Sequence, residues 1–121
     1  MSKSKQKGTL AETAVADYLR QTFPAVERRA LQGKFDTGDI AGVPGCVVEV
    51  KNQRSYKIHE WMKETETERI NAEEELGILV IKPNGIGVSK VNQWWCVISL
   101  ETITRLIEEL QSAKRLQSSR D

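Results

Sequence analysis

The stretch from Gly38 to Lys51 constrains this chain more than any other: Gly38-Asp39-Ile40-Ala41-Gly42-Val43-Pro44-Gly45-Cys46-Val47-Val48-Glu49-Val50-Lys51. Pro44 and Gly45 supply the fixed φ and the positive φ that the centre of a type II turn requires, so the stretch reads as two strands folded back on one another. Side chains alternate along a strand, which sends Cys46, Val48 and Val50 to one face and Val47, Glu49 and Lys51 to the other. The turn returns Asp39 to the same end. Two carboxylates and a lysine are thereby gathered on a sheet that is otherwise apolar, in a setting where strands disfavour such residues.

Two neighbouring carboxylates repel unless a proton or a cation sits between them. A hard divalent cation such as Mg²⁺ takes oxygen ligands, often one or two carboxylates completed by water and substrate phosphate, and a lysine beside it suits phosphate chemistry. The plainer alternative for Glu49-Val50-Lys51 alone is an exposed Glu/Lys pair on the polar face of a strand. Asp39, ten positions back across the turn, weighs for the site. Asp36 is its rival as ligand, but Asp39 directly precedes the apolar Ile40-Ala41.

Gly38-Asp39-Ile40 followed by Val48-Glu49-Val50-Lys51 resembles the signature of the PD-(D/E)XK nuclease superfamily, with Gly38 where that signature carries an often-variable proline. The resemblance implies an α/β, single-domain, restriction-endonuclease-like fold: an αβββαβ core with a central mixed sheet flanked by helices. In size, and in having a glutamate on its first helix, the chain is most similar to the archaeal-type Holliday junction resolvases and their phage relatives. This implies Mg²⁺- or Mn²⁺-dependent hydrolysis of DNA, with four-way junctions as substrate and a homodimer as the active form; the alternatives are another small nuclease of the superfamily acting on linear or flapped DNA, and a non-catalytic dimeric nucleic-acid-binding module that keeps the fold. Asp39, Glu49, the Val50 carbonyl and Glu12 would hold the metal, and Lys51 would stabilise charge on the phosphate.

At 121 residues the chain is long enough for one core. A hydrophobic content of 39% and a charged content of 29% fit a globular protein. No apolar run approaches the roughly 18 residues of a membrane span, and the polar start does not resemble a signal peptide, so the expected location is the cytoplasm. Cys46 and Cys96 lack metal-type spacing and read as small buried hydrophobes. Net charge is only +1, but residues 1–63 carry eleven Lys and Arg against seven Asp and Glu, and residues 64–121 seven against ten. The basic half holds the signature and would draw the phosphate backbone of a nucleic acid.

In chain order, residues 1–8 read as a basic disordered arm, residues 9–111 as the nuclease domain and residues 112–121 as a frayed tail. Thr9 to Glu12 has the pattern of a capping box opening a helix that ends before Pro24, so Glu12 could cap Thr9 or face the metal. Ala25 to Ala30 reads as a first strand, followed by a loop with Lys34 and Asp36. Lys7, Arg28, Arg29, Lys34, Arg54 and Lys57 are the candidate phosphate contacts; for each alone a solvated surface charge is the alternative. A charged helix follows from about Ile58 to Glu75, its glutamates read as a solvated face and His59 as a surface residue. Gly77 to Ile81 is an interior strand, and this helix is long enough to be its parallel crossover. A last strand, Trp94 to Ser99, must send its tryptophans to opposite faces; one of them, with Ile98, is the expected dimer contact, the alternative being that both pack inside, one under each flanking helix. Ile103, Leu106, Ile107 and Leu110 mark a final amphipathic helix.

Overall fold

A computed structural model describes residues 2–29 and 38–120. Its elements follow the chain as α1 (Lys3–Arg20), β1 (Glu27–Arg28), β2 (Ile40–Ala41), β3 (Cys46–Lys51), α2 (Ile58–Ala72), β4 (Leu76–Ile81), β5 (Trp95–Val97) and α3 (Leu100–Arg120). The fold class is α/β: one five-stranded mixed sheet in the order β1-β2-β3-β4-β5, with helices. The hairpin forms as the sequence requires. Ile40 pairs antiparallel with Val48, Gly45 takes φ +73°, and the Cys46 amide donates to the Val43 carbonyl at 3.1 Å to close the turn.

β3 and β4 run parallel from Cys46↔Leu76 to Lys51↔Ile81, and α2 makes the crossover. Strand alternation then builds two cores. On one face Ile40, Val48, Val50 and Val80 pack with Ala11, Val15 and Ala16 of α1 and with Trp94. On the other, Leu79 and Ile81 pack against Trp61 of α2. The buried stripe of α2 is Trp61, Thr65 and Glu68, one residue per turn.

Several boundaries differ from the sequence reading. The polar start is helical from Lys3, because Ser2 accepts from the Lys5 amide at 3.2 Å as an N-cap and Asn52 Nδ2 donates to the Lys7 carbonyl at 3.1 Å. Thr9 and Glu12 therefore lie inside α1, and no capping box forms there. The C-terminal residues expected to fray continue α3 through Arg120. Cys96 is exposed and Cys46 half-buried, and both are free thiols; Cys96 sits on the edge strand β5, paired with Val80 on one side only among the described residues. Trp94 is buried while Trp95 is exposed and meets Tyr56 edge to face at 5.7 Å between ring centroids. Among the described residues no helix is long and apolar enough to cross a membrane.

Candidate active site

The hairpin, the end of β3 and the first half of α1 converge on an open cleft of about 820 Å³. Glu12, Asp39, Glu49 and Lys51 all line it, together with Val50, Lys7, Arg54 and Glu64. Asp39 is aimed by its backbone. Its amide donates to the Val48 carbonyl at 2.9 Å, and its Oδ2 accepts from the Val50 amide at 2.8 Å, so the side chain continues the ladder where β2 stops. In a strand the N–H and C=O of one residue point to the same side, which puts the Val50 carbonyl on this edge too.

Gly38 takes a backbone conformation closed to proline. Its φ is +96°, and a Cβ there would lie 2.8 Å from Val47 Cγ1 and 3.1 Å from the Val48 carbonyl oxygen. Proline, locked near −65°, cannot adopt this conformation.

Glu49 is 4% exposed, and its Oε1 is buried without a hydrogen-bond partner among the described residues. Burial first, and then the nearness of Glu49, pushes Asp39 up to about 8. Glu49 is likewise pushed up to about 8: burial dominates, a hydrogen bond with Asp39 pulls down, and Glu68 pushes up further. Burial and then Asp39 also raise Glu12. Carboxylates this close bond to one another only while one of them keeps a proton. The structure thus lays out a row, Glu12, Asp39, Glu49 and Glu68, in which burial and mutual nearness work against the charge of the first three.

Lys51 Nζ lies 2.8 Å from Glu64 Oε2 and 3.8 Å from Glu49 Oε2, with the Trp61 ring centroid 5.9 Å away. Burial works against its charge, but the hydrogen bond with Glu64 and the charge of Glu49 outweigh it and raise its pKa. Two residues read from sequence as solvated glutamates therefore belong to this site. Glu64 lines the cleft and holds Lys51. Glu68 is 2% exposed, because the spacing Trp61, Thr65, Glu68 sets it on the buried stripe. That spacing was the available signal; the density of glutamates around it hid it. Glu66, by contrast, is a surface residue paired with Arg69 at 2.6 Å.

The basic residues divide. Lys7 and Arg54 line the cleft. Arg28 is taken up by Glu12, its Nε 3.2 Å from Oε2, and Arg29 is half-buried next to the sheet, its amide donating to the Asp39 carbonyl at 2.7 Å. Lys57 is exposed at the N-terminus of α2, outside the cleft lining. Lys34 and Asp36 lie outside the described residues. His59 is exposed on the first turn of α2.

Among the described residues no group of three or more His, Cys, Asp or Glu stands in ready metal-binding geometry. The donors available to a hard cation would be two neighbouring carboxylates and a backbone carbonyl, one carboxylate oxygen being buried and without a hydrogen-bond partner among the described residues. Such an all-oxygen set, completed by water, fits Mg²⁺ or Mn²⁺ and does not fit zinc. No family model, curated protein or solved structure matches the chain, and what the cleft does must be read from its own chemistry.

Proposed function

We propose that this protein is a divalent-metal-dependent endonuclease of the PD-(D/E)XK kind that hydrolyses DNA phosphodiesters, with four-way junctions as its preferred substrate. The observation that carries the reading is the meeting of Asp39 from one arm of the hairpin with Glu49 and Lys51 from the other in one open cleft, with Lys7 and Arg54 on its walls. A module that only bound nucleic acid would gain nothing from carboxylates that repel phosphate.

Asp39, Glu49 and the Val50 carbonyl would hold Mg²⁺ or Mn²⁺, with Glu12 beside them as a further ligand. The cation supplies Lewis acidity and lowers the pKa of water at the site. Lys51 places its ammonium where charge develops on the phosphate, a fixed donor in a half-buried setting and therefore worth more than in water. Arg54 and Lys7 hold the flanking phosphates without reading sequence. Glu64 competes with phosphate for Lys51 and keeps its side chain extended into the cleft.

Incubation with Mg²⁺ and matched four-way, flapped and linear duplex DNA tests the proposal. Paired symmetric nicks confined to the four-way DNA support junction resolution. Equal cutting of linear duplex assigns a different substrate to the same chemistry, and tight binding without cutting in either metal overturns the nuclease reading.

A further inference from the structure

β5 opens on a tryptophan that the fold leaves in water. Trp95 is 46% exposed. It stands in register with Ile81 of β4, which stands in register with Lys51 of β3. Residues in register share a face of the sheet and neighbouring strands lie about 4.8 Å apart, so Trp95 flanks the cleft on the face of Lys51, about 10 Å from it. A single exposed apolar side chain is ordinary. What sets Trp95 apart is how it is held and what surrounds it.

The Tyr56 ring meets it edge to face, 5.7 Å between centroids with the planes 72° apart. Tyr56 is fixed in turn, its hydroxyl accepting from the Asn84 amide at 2.8 Å, while Asn84 Nδ2 donates to the Arg54 carbonyl at 2.9 Å. One residue of the turn after β4 thus fastens both the aromatic pair and the segment that carries an arginine into the cleft wall. A surface ordered in advance loses little freedom when a ligand settles on it.

The charges indicate the ligand. Residues 50–59 hold Lys51, Arg54 and Lys57 and no acidic side chain, and residues 76–100 hold Lys82 and Lys90 and again none. Glu64, the nearest acid of α2 to Lys51, is already held by it at 2.8 Å. A ligand that carries negative charge and flat apolar groups together uses both features: phosphates on the cations, a base on the ring. An apolar peptide would use the ring and leave the cations idle.

We infer that Trp95, braced by Tyr56, is a stacking platform for an unpaired nucleobase of a strand whose phosphates run past Arg54 into the cleft. This rests on the reading of the cleft as a nucleic-acid site and adds a source of selectivity to it. A base leaves its stack at least cost where it is already unpaired, so a platform beside the cleft favours branched or frayed DNA over a continuous duplex.

Fluorescence anisotropy in chelator, where metal-dependent cutting stops, compares a labelled oligothymidylate with an abasic strand of the same length and charge. The natural chain should bind the base-bearing strand about tenfold more tightly, the scale of one stacked base. Trp95→Leu should bring the two strands to equal affinity with little change in melting, and Trp95→Phe, which keeps an aromatic face, should retain most of the preference. Equal binding of both strands by the natural chain, binding of neither, or a Trp95→Leu variant that keeps the preference would each overturn the platform. If Trp95→Leu keeps the preference but sediments as a smaller species, the ring belongs to a contact between copies instead. The nuclease reading is judged separately by cutting in Mg²⁺: a chain that cuts yet binds both strands alike loses only the platform, and one that prefers bases yet cuts nothing keeps it.

Discussion

The cleft and α3 break the ordinary rule of burial in opposite directions. Around β3 the chain takes carboxylates out of water, Glu49 at 4% exposure and Glu68 at 2%, although acidic side chains are seldom buried so deeply. Along α3 it leaves Leu100, Ile107 and Leu110 in water, although a contiguous apolar stripe is what a fold ordinarily covers. Each departure costs free energy in the isolated chain, and each points to the kind of group that would relieve it: positive charge at the cleft, apolar surface at the helix. The lesson is that a departure is informative when its chemistry names the missing partner. A buried acid row calls for positive charge or a proton, and an exposed apolar stripe calls for apolar surface.

The largest effect is expected where the cleft is disarmed. Asp39→Asn, Glu49→Gln and Lys51→Ala should each lower DNA cleavage by about a hundredfold or more, the scale on which losing one fixed charge-stabilising group acts. Melting should change little, because the side-chain oxygen of the asparagine variant can still accept from the Val50 amide, as Asp39 Oδ2 does, and removing charge from a crowded row relieves repulsion. A carboxylate variant that retains natural turnover would remove the cleft from the comparison altogether. Glu12→Gln sharpens the boundary of the site: with no capping box to lose, a fall in cleavage of about tenfold at constant melting temperature would mark it as a ligand or an orienting group.

A smaller effect is expected on stability as pH changes. Folding raises Asp39 and Glu49 to about 8 from ordinary carboxylate values near 4. Between those limits the folded chain binds more protons than the unfolded one, so stability is greatest in the acid part of the interval and is lost as pH rises toward 8. In chelator the melting temperature should therefore fall from about pH 5 to pH 8. Added Mn²⁺, taking the place of the protons, should flatten the profile, and Glu49→Gln should flatten it without metal. A natural chain in chelator whose melting temperature is constant over this range would show that the acid row is ionised at no cost.

The smallest effect is expected at Glu64. Its ion pair with Lys51 is short but its side chain is 49% exposed, and such pairs contribute on the order of 1 kcal/mol or less. Glu64→Gln should leave melting nearly unchanged and alter cleavage by less than about tenfold, through the freedom of Lys51 rather than its charge. A loss as large as that of Lys51→Ala would place Glu64 among the groups that act on phosphate.

Much of this was legible along the chain because it is local. Pro44-Gly45 dictated the hairpin, period-two alternation assigned Val48 and Glu49 to opposite faces, and the 3.6-residue period of Ile103, Leu106, Ile107 and Leu110 announced α3. The adjacency of Trp94 and Trp95 required them to face opposite sides of the sheet, and Trp95 is the exposed one. Where local reasoning failed, a competing local signal prevailed. Ser2 captured the helix start from Thr9, and the run of glutamates in α2 looked uniform although the helical period sorts Glu66 to solvent and Glu68 to the core.

What the sequence determined by itself, then, is which residues can be gathered and on which face, since turn chemistry and side-chain period act over a few residues. What only the tertiary structure decided is where those faces meet. Glu12 comes to Asp39 because α1 packs across the hairpin, Glu68 comes to Glu49 because the crossover lays α2 over β3 and β4, and Arg28 comes within 3.2 Å of Glu12. Proton sharing among carboxylates depends steeply on such distances and on exclusion of water. Neither quantity is written in the spacing of residues along a chain.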